Sequence, residues 1–405
     1  MRILILTDHL DRFSLTESEL WIADVAERWA QAGHRVDALC VLPLETWQEP
    51  GELTGVAVHR PGPETFEPEL GELLRLAPDI VHVATRGPLS ARVCEILREL
   101  PTLLDVHDYW PICPNDDLLE RPGFDACPVH HPDPRCGSCC GLLRLRAMEA
   151  RRGLVESAGA VLAHDGVQRG RLEEGLSRPV ECLDVGVDPL RFRSRATPPL
   201  EPEVVGLVTS PPRPRALLLG PPSHAFGAGH VLDLLVAMRT RCPDVEFVIA
   251  GRDIANPDWH HLLLAQAREM GLIDHLRLLT RVPVTDLPAL YAACDVAFAP
   301  RLEHQPGSVS VLQAMAAGLP VVGTPGGALG ELVRHGQEGL LISPEEVPAF
   351  SNALGTLLSD AMARIVLGES ARLRAIERHD RSRSMAALGD LYDRLRGNTR
   401  ARAAA

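Results

Sequence analysis

The chain has too little positive charge to be a general nucleic-acid binder. Its 41 Lys and Arg face 54 Asp and Glu over 405 residues, a formal net charge of −13. A protein that grips phosphate backbones needs a net basic face instead. It also lacks any apolar run of membrane-spanning length, which leaves membrane contact at most peripheral. Residues 1–7 are too short for a signal-peptide core and carry no cleavage site, so they read as a first strand and the protein as cytoplasmic. A basic stretch at 142–154 sets Arg144, Arg146, Arg151 and Arg152 among leucines. It reads as a partly solvated helix rather than a membrane-surface patch.

What is present is an ordinary globular composition, 45% hydrophobic and 23% charged, with length enough for two or three domains. Short apolar strands alternate with amphipathic helices in both halves. In the first half, strands are expected at 2–7, 35–41, 56–59, 80–83, 102–106, 160–163 and 181–183. Trp21, Val25 and Trp29 recur at i, i+4 along a helix over 17–32. In the second half, strands are expected at 216–219, 246–250, 276–279, 296–299, 320–322 and 339–342. This alternation, with continuously apolar strands, predicts parallel sheets covered on both faces. The proline-rich stretch 194–214 reads as a linker. The expected organisation is therefore a first domain at 1–193, a second at 215–375, and a charged C-terminal helix at 376–405 that crosses back onto the first.

The most informative segment runs from Arg301 to Thr324. Pro306 and Gly307 make a turn that opens a helix ending near Gly318. The free amides and partial positive charge of a helix N-terminus seat anions. Gly307, Ser308 and Val309 would form that seat, with Gly307 allowing close approach and the hydroxyls of Ser308 and Ser310 adding donors. This is a layout for a diphosphate.

Cys113, Cys127, Cys136 and Cys139 fall within 27 residues, with Cys140 adjacent. The Cys136-x-x-Cys139 spacing suits a structural zinc, with His130 and His131 as spare nitrogen ligands. An iron–sulfur cluster, a disulfide pair and unmodified thiols are the other readings. The remaining Cys40, Cys94, Cys182, Cys242 and Cys294 read as small core residues.

An ordered series of short motifs carries a family resemblance. It includes Gly33-His-Arg-Val36, Pro78-Asp-Ile-Val-His82, Val106-His-Asp108, Val185-Gly-Val-Asp188, Ala250-Gly251, Cys294-Asp-Val296 and Gln313-Ala-Met-Ala-Ala-Gly-Leu-Pro320. From residue 1 to about 395 the chain resembles the retaining glycosyltransferases of family four, which have the GT-B fold of two Rossmann-like α/β domains. The resemblance extends to the subset with a cysteine-bearing insertion after His-Asp, here 113–140. It implies transfer of a sugar from a nucleoside-diphosphate sugar, with retention, to an acceptor that is a glycan, a lipid or a small molecule. By the same resemblance, His107 reaches the donor sugar or its phosphate.

Several family features are missing. Two glutamates with seven residues between them are replaced by Gln305, on the donor sugar, and Gln313, on the nucleotide ribose. The segment 220–230 holds neither the Arg nor the Lys expected on the diphosphate. Two charge-assisted contacts of about 1.5–3 kcal/mol each are thereby lost. Arg252, Arg301, His224, His230 and His304 remain as substitutes. No glycine pair follows the first strand within 8–18. These departures support a second expectation, a degenerate non-catalytic relative that serves as a binding or scaffold protein.

Overall fold

The computed structural model describes the chain except residues 9, 11–12, 14–15, 43–49, 86–88, 120–126, 128–134, 193–199, 220–226, 252–258, 302–305, 308, 344 and 405, and the side chains of 219, 228 and 400–404. The described chain divides into two compact units. The first comprises Met1–Arg12, Ser18–Asp184 and Ser384–Ala405, and the second Phe13–Glu17 and Val185–Arg383.

In chain order the first unit contains β1 (Arg2–Thr7), α1 (Glu17–Gln31), β2 (Arg35–Cys40), β3 (Ala57–His59), α2 (Phe66–Arg75), β4 (Ile80–Ala84), α3 (Ala91–Arg98), β5 (Thr102–Asp105), α4 (Leu142–Ser157), β6 (Ala160–Ala163), α5 (Gly166–Leu176) and β7 (Glu181–Cys182). Its seven strands pair in parallel in the order β3-β2-β1-β4-β5-β6-β7. Strands buried on both faces read as unbroken apolar runs, as in Ile3–Leu6. The core gathers Leu4, Leu6, Val81, Val83, Leu104 and Val161 from the sheet with Leu70, Val93, Leu154 and Leu172 from the helices.

The second unit contains α6 (Pro202–Val208), β8 (Arg215–Leu219), α7 (Val231–Met238), β9 (Glu246–Ala250), α8 (Trp259–Glu269), β10 (Leu276–Leu279), α9 (Leu287–Ala292), β11 (Val296–Ala299), α10 (Val309–Ala316), β12 (Val321–Gly323), α11 (Gly327–Leu332), β13 (Gly339–Leu341), α12 (Val347–Ser359) and α13 (Ala361–Arg378). Its sheet runs β10-β9-β8-β11-β12-β13, again parallel where paired. The helix α14 (Arg381–Ala404) follows, and from Ser384 onward it groups with the first unit. There Tyr392 is fully buried and stacks on Trp29, and Arg396 pairs with Asp79 at 3.1 Å.

The stretch read as a linker holds a helix. Pro202 stands in the first turn of α6, where a missing N–H costs nothing, and Val204 and Leu207 are buried. Cys182 is exposed and Cys242 only half-buried, so the core reading of the remaining cysteines holds for Cys40, Cys94 and Cys294 alone.

Helix α10 is buried at every position from Val309 to Ala316. The crossing of α13 is so close that a Cβ at Gly368 would collide with the Gly318 carbonyl. The helix that ends the most informative sequence segment is thus clamped from its C-terminal side.

Candidate active site

In the second unit, β11 delivers the chain to Arg301, and Gly307 leads into α10. Gly307 has φ of +105°, a conformation costly for any residue with a Cβ. An added Cβ would lie 3.0 Å from both Arg301 Nη1 and Glu17 Cγ. Arg301 is 2% exposed and holds the whole turn. Its Nη1 donates to the Gly307 carbonyl at 2.5 Å, and its Nη2 to Ser310 Oγ at 2.7 Å and Glu17 Oε1 at 2.8 Å.

The expected anion seat therefore already has an anion beside it. Ser310 donates its backbone N–H to Glu17 Oε2 at 3.2 Å and its hydroxyl to Glu17 Oε1 at 2.6 Å. A carboxylate at a helix N-terminus satisfies an orphan amide and the helix dipole together, and Arg301 supplies the opposite charge. The Ser310 hydroxyl, expected to face a ligand, is engaged within the protein. Gln313 is buried, and its Oε1 accepts from Tyr291 Oη at 3.2 Å. Tyr291 also donates to the Ser310 carbonyl at 2.9 Å. Burial pushes the Tyr291 phenol well above its ordinary range, so it stays a donor. Gly307 and Val309 stand at the head of α10 as expected, whereas Arg252, Gln305 and Ser308 lie outside the described residues, as do His224 and His304. All 41 basic residues of the chain are arginine, since the sequence contains no lysine. Any cationic grip on a phosphate must come from Arg or His.

In the first unit, three neighbouring strands bring titratable groups to one carboxylate. Asp105 ends β5, His82 lies in β4 and His164 directly follows β6. Asp105 Oδ2 accepts from Trp21 Nε1 at 2.8 Å and contacts His82 Nε2 at 2.9 Å. Its Oδ1 meets His164 Nε2 at 2.6 Å and His107 Nε2 at 3.3 Å. The His107 and His164 rings stack at 4.3 Å and 24°. His82 Nδ1 meets Tyr392 Oη at 2.6 Å. Burial opposes ionisation of Asp105, but His164 and His107 outweigh it and hold the carboxyl well below its ordinary range. Burial lowers His107, and the neighbouring His164 adds to that. For His164 burial acts downward too, but Asp105 and the Leu183 carbonyl reverse it and the net shift is upward.

Sequence reasoning named His107 and His82 separately and missed Asp105, His164 and Trp21 as their partners. The members are up to 310 residues apart, as in the His82–Tyr392 pair, so no local spacing announces them.

Among the described residues, one group of three metal-capable atoms lies within 4.8 Å of one another: Asp105, His107 and His164. A divalent ion does not fit it as it stands. With zinc–ligand bonds of about 2.0–2.1 Å, tetrahedral ligands lie about 3.3 Å apart, and the 2.6 Å contact is the length of a hydrogen bond.

Cys113, Cys127, Cys136, Cys139 and Cys140 line one pocket with Ile112, Pro114 and Arg135. Cys139 and Cys140 Sγ are 3.7 Å apart on a π-helical turn (Gly137–Gly141) that runs into α4. None of the ten cysteines is paired in a disulfide. Burial pushes the Cys113 thiol up to about 11, and burial with Cys113, Cys139 and Cys136 nearby raises Cys140. The donor chemistry fits a soft cation, although the thiols form no second group as tight as the one around Asp105 among the described residues. His130 and His131 lie outside the described residues.

Residues 219–360 match the family described as Glycosyl transferases group 1. Over 316 residues the chain is 29% identical to the D-inositol 3-phosphate glycosyltransferase of Corynebacterium urealyticum, covering 73% of this chain and 67% of that one. A sucrose-phosphate synthase from Thermosynechococcus elongatus superposes with a TM-score of 0.73 at 19% identity, over 98% and 99% of the two chains. The Anabaena protein HepE in complex with UDP-glucose gives 0.69 at 19%, over 96% and 98%. The fold is GT-B, and the similarity is to group 1 glycosyltransferases. No helix among the described residues is long and apolar enough to cross a membrane.

Proposed function

We propose that the protein is a glycosyltransferase that takes a sugar from a nucleoside-diphosphate donor and transfers it with retention to a glycan, lipid or small-molecule acceptor in the cytoplasm. The observation that carries this reading is the group 1 match over 219–360, which spans Arg301, Gly307 and the whole of α10. The HepE complex with UDP-glucose supports the donor class.

In this reading the donor diphosphate lies at the head of α10, against Gly307, Ser308 and Val309, with Gln305, Gln313 and Arg252 on the sugar nucleotide. As the glycosidic bond breaks, negative charge grows on the leaving diphosphate, and preorganised amides stabilise it without reorganisation. Glu17 has to give up the Ser310 amide, or share it, when the diphosphate arrives. His107 contacts the donor sugar. The same reading includes a structural zinc at Cys113, Cys127, Cys136 and Cys139, whose thiolates would tie the insertion together.

Thermal unfolding measured with UDP-, GDP- and ADP-sugars tests the donor. A ligand present at 100 times its Kd adds about 2.7 kcal/mol to the native state. Stabilisation by one nucleotide series, weakened in Gln313→Ala, is the expected result. Absence of any response across the panel overturns the transferase reading. Elemental analysis of the purified protein tests the zinc, and a metal-free folded protein removes it.

A second reading has its own observation. Glu17 already neutralises Arg301 and caps α10, and 220–230 offers no Arg or Lys. Both suit a binding or scaffold protein that has kept the fold and lost the donor. The same panel separates the two.

A further inference from the structure

The protons around Asp105 can be counted. His164 Nδ1 lies 3.0 Å from the Leu183 carbonyl, which can only accept. Its Nε2 lies 2.6 Å from Asp105 Oδ1. The other carboxylate oxygen already takes the Trp21 indole N–H, a group that can only donate, and meets His82 Nε2. Tyr392 Oη can donate to His82 Nδ1, which sets the His82 hydrogen on Nε2, facing Asp105. Two donors on Oδ2 favour the ionised carboxylate, so the proton in the 2.6 Å contact belongs to His164. Both of its ring nitrogens then carry hydrogen.

We propose that His164 is an imidazolium that acts as a positioning residue for His107. Its Nε2–H occupies Asp105 Oδ1, and its ring face, 4.3 Å away and nearly parallel, fixes the His107 ring. A cation stacked on His107 disfavours a second one, so His107 works as a neutral imidazole. It can then exchange hydrogen bonds with a sugar hydroxyl but brings no positive charge to a phosphate. This inference rests on the reading of His107 as the donor-sugar residue, and it adds the protonation state of that site and the residue that sets it. The groups facing His164 are Asp105 and His107 from the end of β5, Asp165 at the head of α5 and the uncharged Trp21 from α1, while His82 from β4 meets the other oxygen of Asp105 and Tyr392 from α14 meets His82. The upward shift of His164 and the downward shift of His107 agree with this assignment.

Histidine-selective 15N NMR on the full-length protein at pH 7.5 reads ring protonation directly. An imidazolium signal belonging to His164 is expected. It disappears in His164→Gln and persists in His107→Gln, which keeps the test decisive if one variant fails to fold. The proposal is overturned if no imidazolium signal of the native protein is lost in His164→Gln. A zinc ion bound at Asp105, His107 and His164 would also overturn it, because the metal would replace the proton. None of these readouts needs turnover, so failure of the transferase reading leaves them interpretable. If transfer is detected, the acid limb of kcat/KM moves to higher pH in His164→Gln, by about 1–3 units, as Asp105 becomes available to His107. An unmoved limb with a lowered kcat would mean that His164 is merely structural.

Discussion

Two of the buried carboxylates, Asp105 and Glu17, are stabilised by opposite means. Asp105 gathers three imidazoles and an indole at the carboxyl ends of β4, β5 and β6. Glu17 faces one guanidinium and the head of one helix. A guanidinium keeps its charge at any pH that leaves a protein folded, whereas imidazoles exchange protons near neutrality. The first cluster is therefore addressed by protons. The second is addressed by a competing anion, since a diphosphate would seek the same amide and the same cation.

Asp105→Ala probes the larger of the two. It strands the His164 imidazolium and leaves the Trp21 indole without its acceptor. Removing one partner of a buried pair costs about 3–5 kcal/mol, read as a fall in the urea midpoint at pH 7. Adding His164→Gln to Asp105→Ala should return part of that loss, because the stranded charge goes with it. Equal losses in the single and double variants would show that no ion pair was present.

The two clusters were unequally legible. The head of α10 could be read locally, because Pro306, Gly307 and the apolar run beyond them are contiguous and α10 follows at Val309. Its occupant could not. Glu17 lies 293 residues from Ser310, and acidic residues near a first helix are too common to single out. The strands were read to within a residue or so, since a buried parallel strand announces itself as an apolar run. Helix α6 was hidden by its prolines, although Pro202 after Glu201 is a helix-start signal. Helix α5 has little amphipathic pattern, burying only Gln168 and Leu172, and its one local cue was Asp165, whose side chain caps the Gln168 amide. The Asp105 cluster is a product of strand order: β4, β5 and β6 are neighbours in the sheet, and sequence spacing does not give sheet order.

Gly307→Ala tests whether the turn at α10 is rigid. At φ of +105° the new Cβ is strained, and it meets Arg301 and Glu17. A loss of about 1–3 kcal/mol is expected, together with weaker nucleotide binding. If stability falls and binding holds, the diphosphate does not approach the backbone there.

Glu17→Gln tests competition at the same place. The amide oxygen can still accept from Ser310, but the charge is gone and Arg301 is released for a phosphate. Nucleoside diphosphate binding, measured by calorimetry, should tighten by about tenfold, equivalent to about 1.4 kcal/mol. The effect should shrink with added salt, because it is a charge effect. Unchanged affinity would put the diphosphate elsewhere, and tighter binding without any turnover would favour the scaffold reading.

The smallest expected effect is a change of slope with pH, and it belongs to the Asp105 cluster. His164 is shifted above its ordinary value of 6.5, so its stabilisation is complete below pH 6.5 and is lost as pH rises through its folded value. His107 is shifted below 6.5, so its contribution is complete above pH 6.5 and is lost as pH falls through its folded value. Asp105 gives way only as pH falls below 3.8 toward its own depressed value. The two stacked rings therefore oppose each other about pH 6.5. Relative to the native protein, His164→Gln should flatten the alkaline side of a plot of urea midpoint against pH, and His107→Gln the acid side. Were both variants to flatten the same side, the proton would have been assigned to the wrong ring.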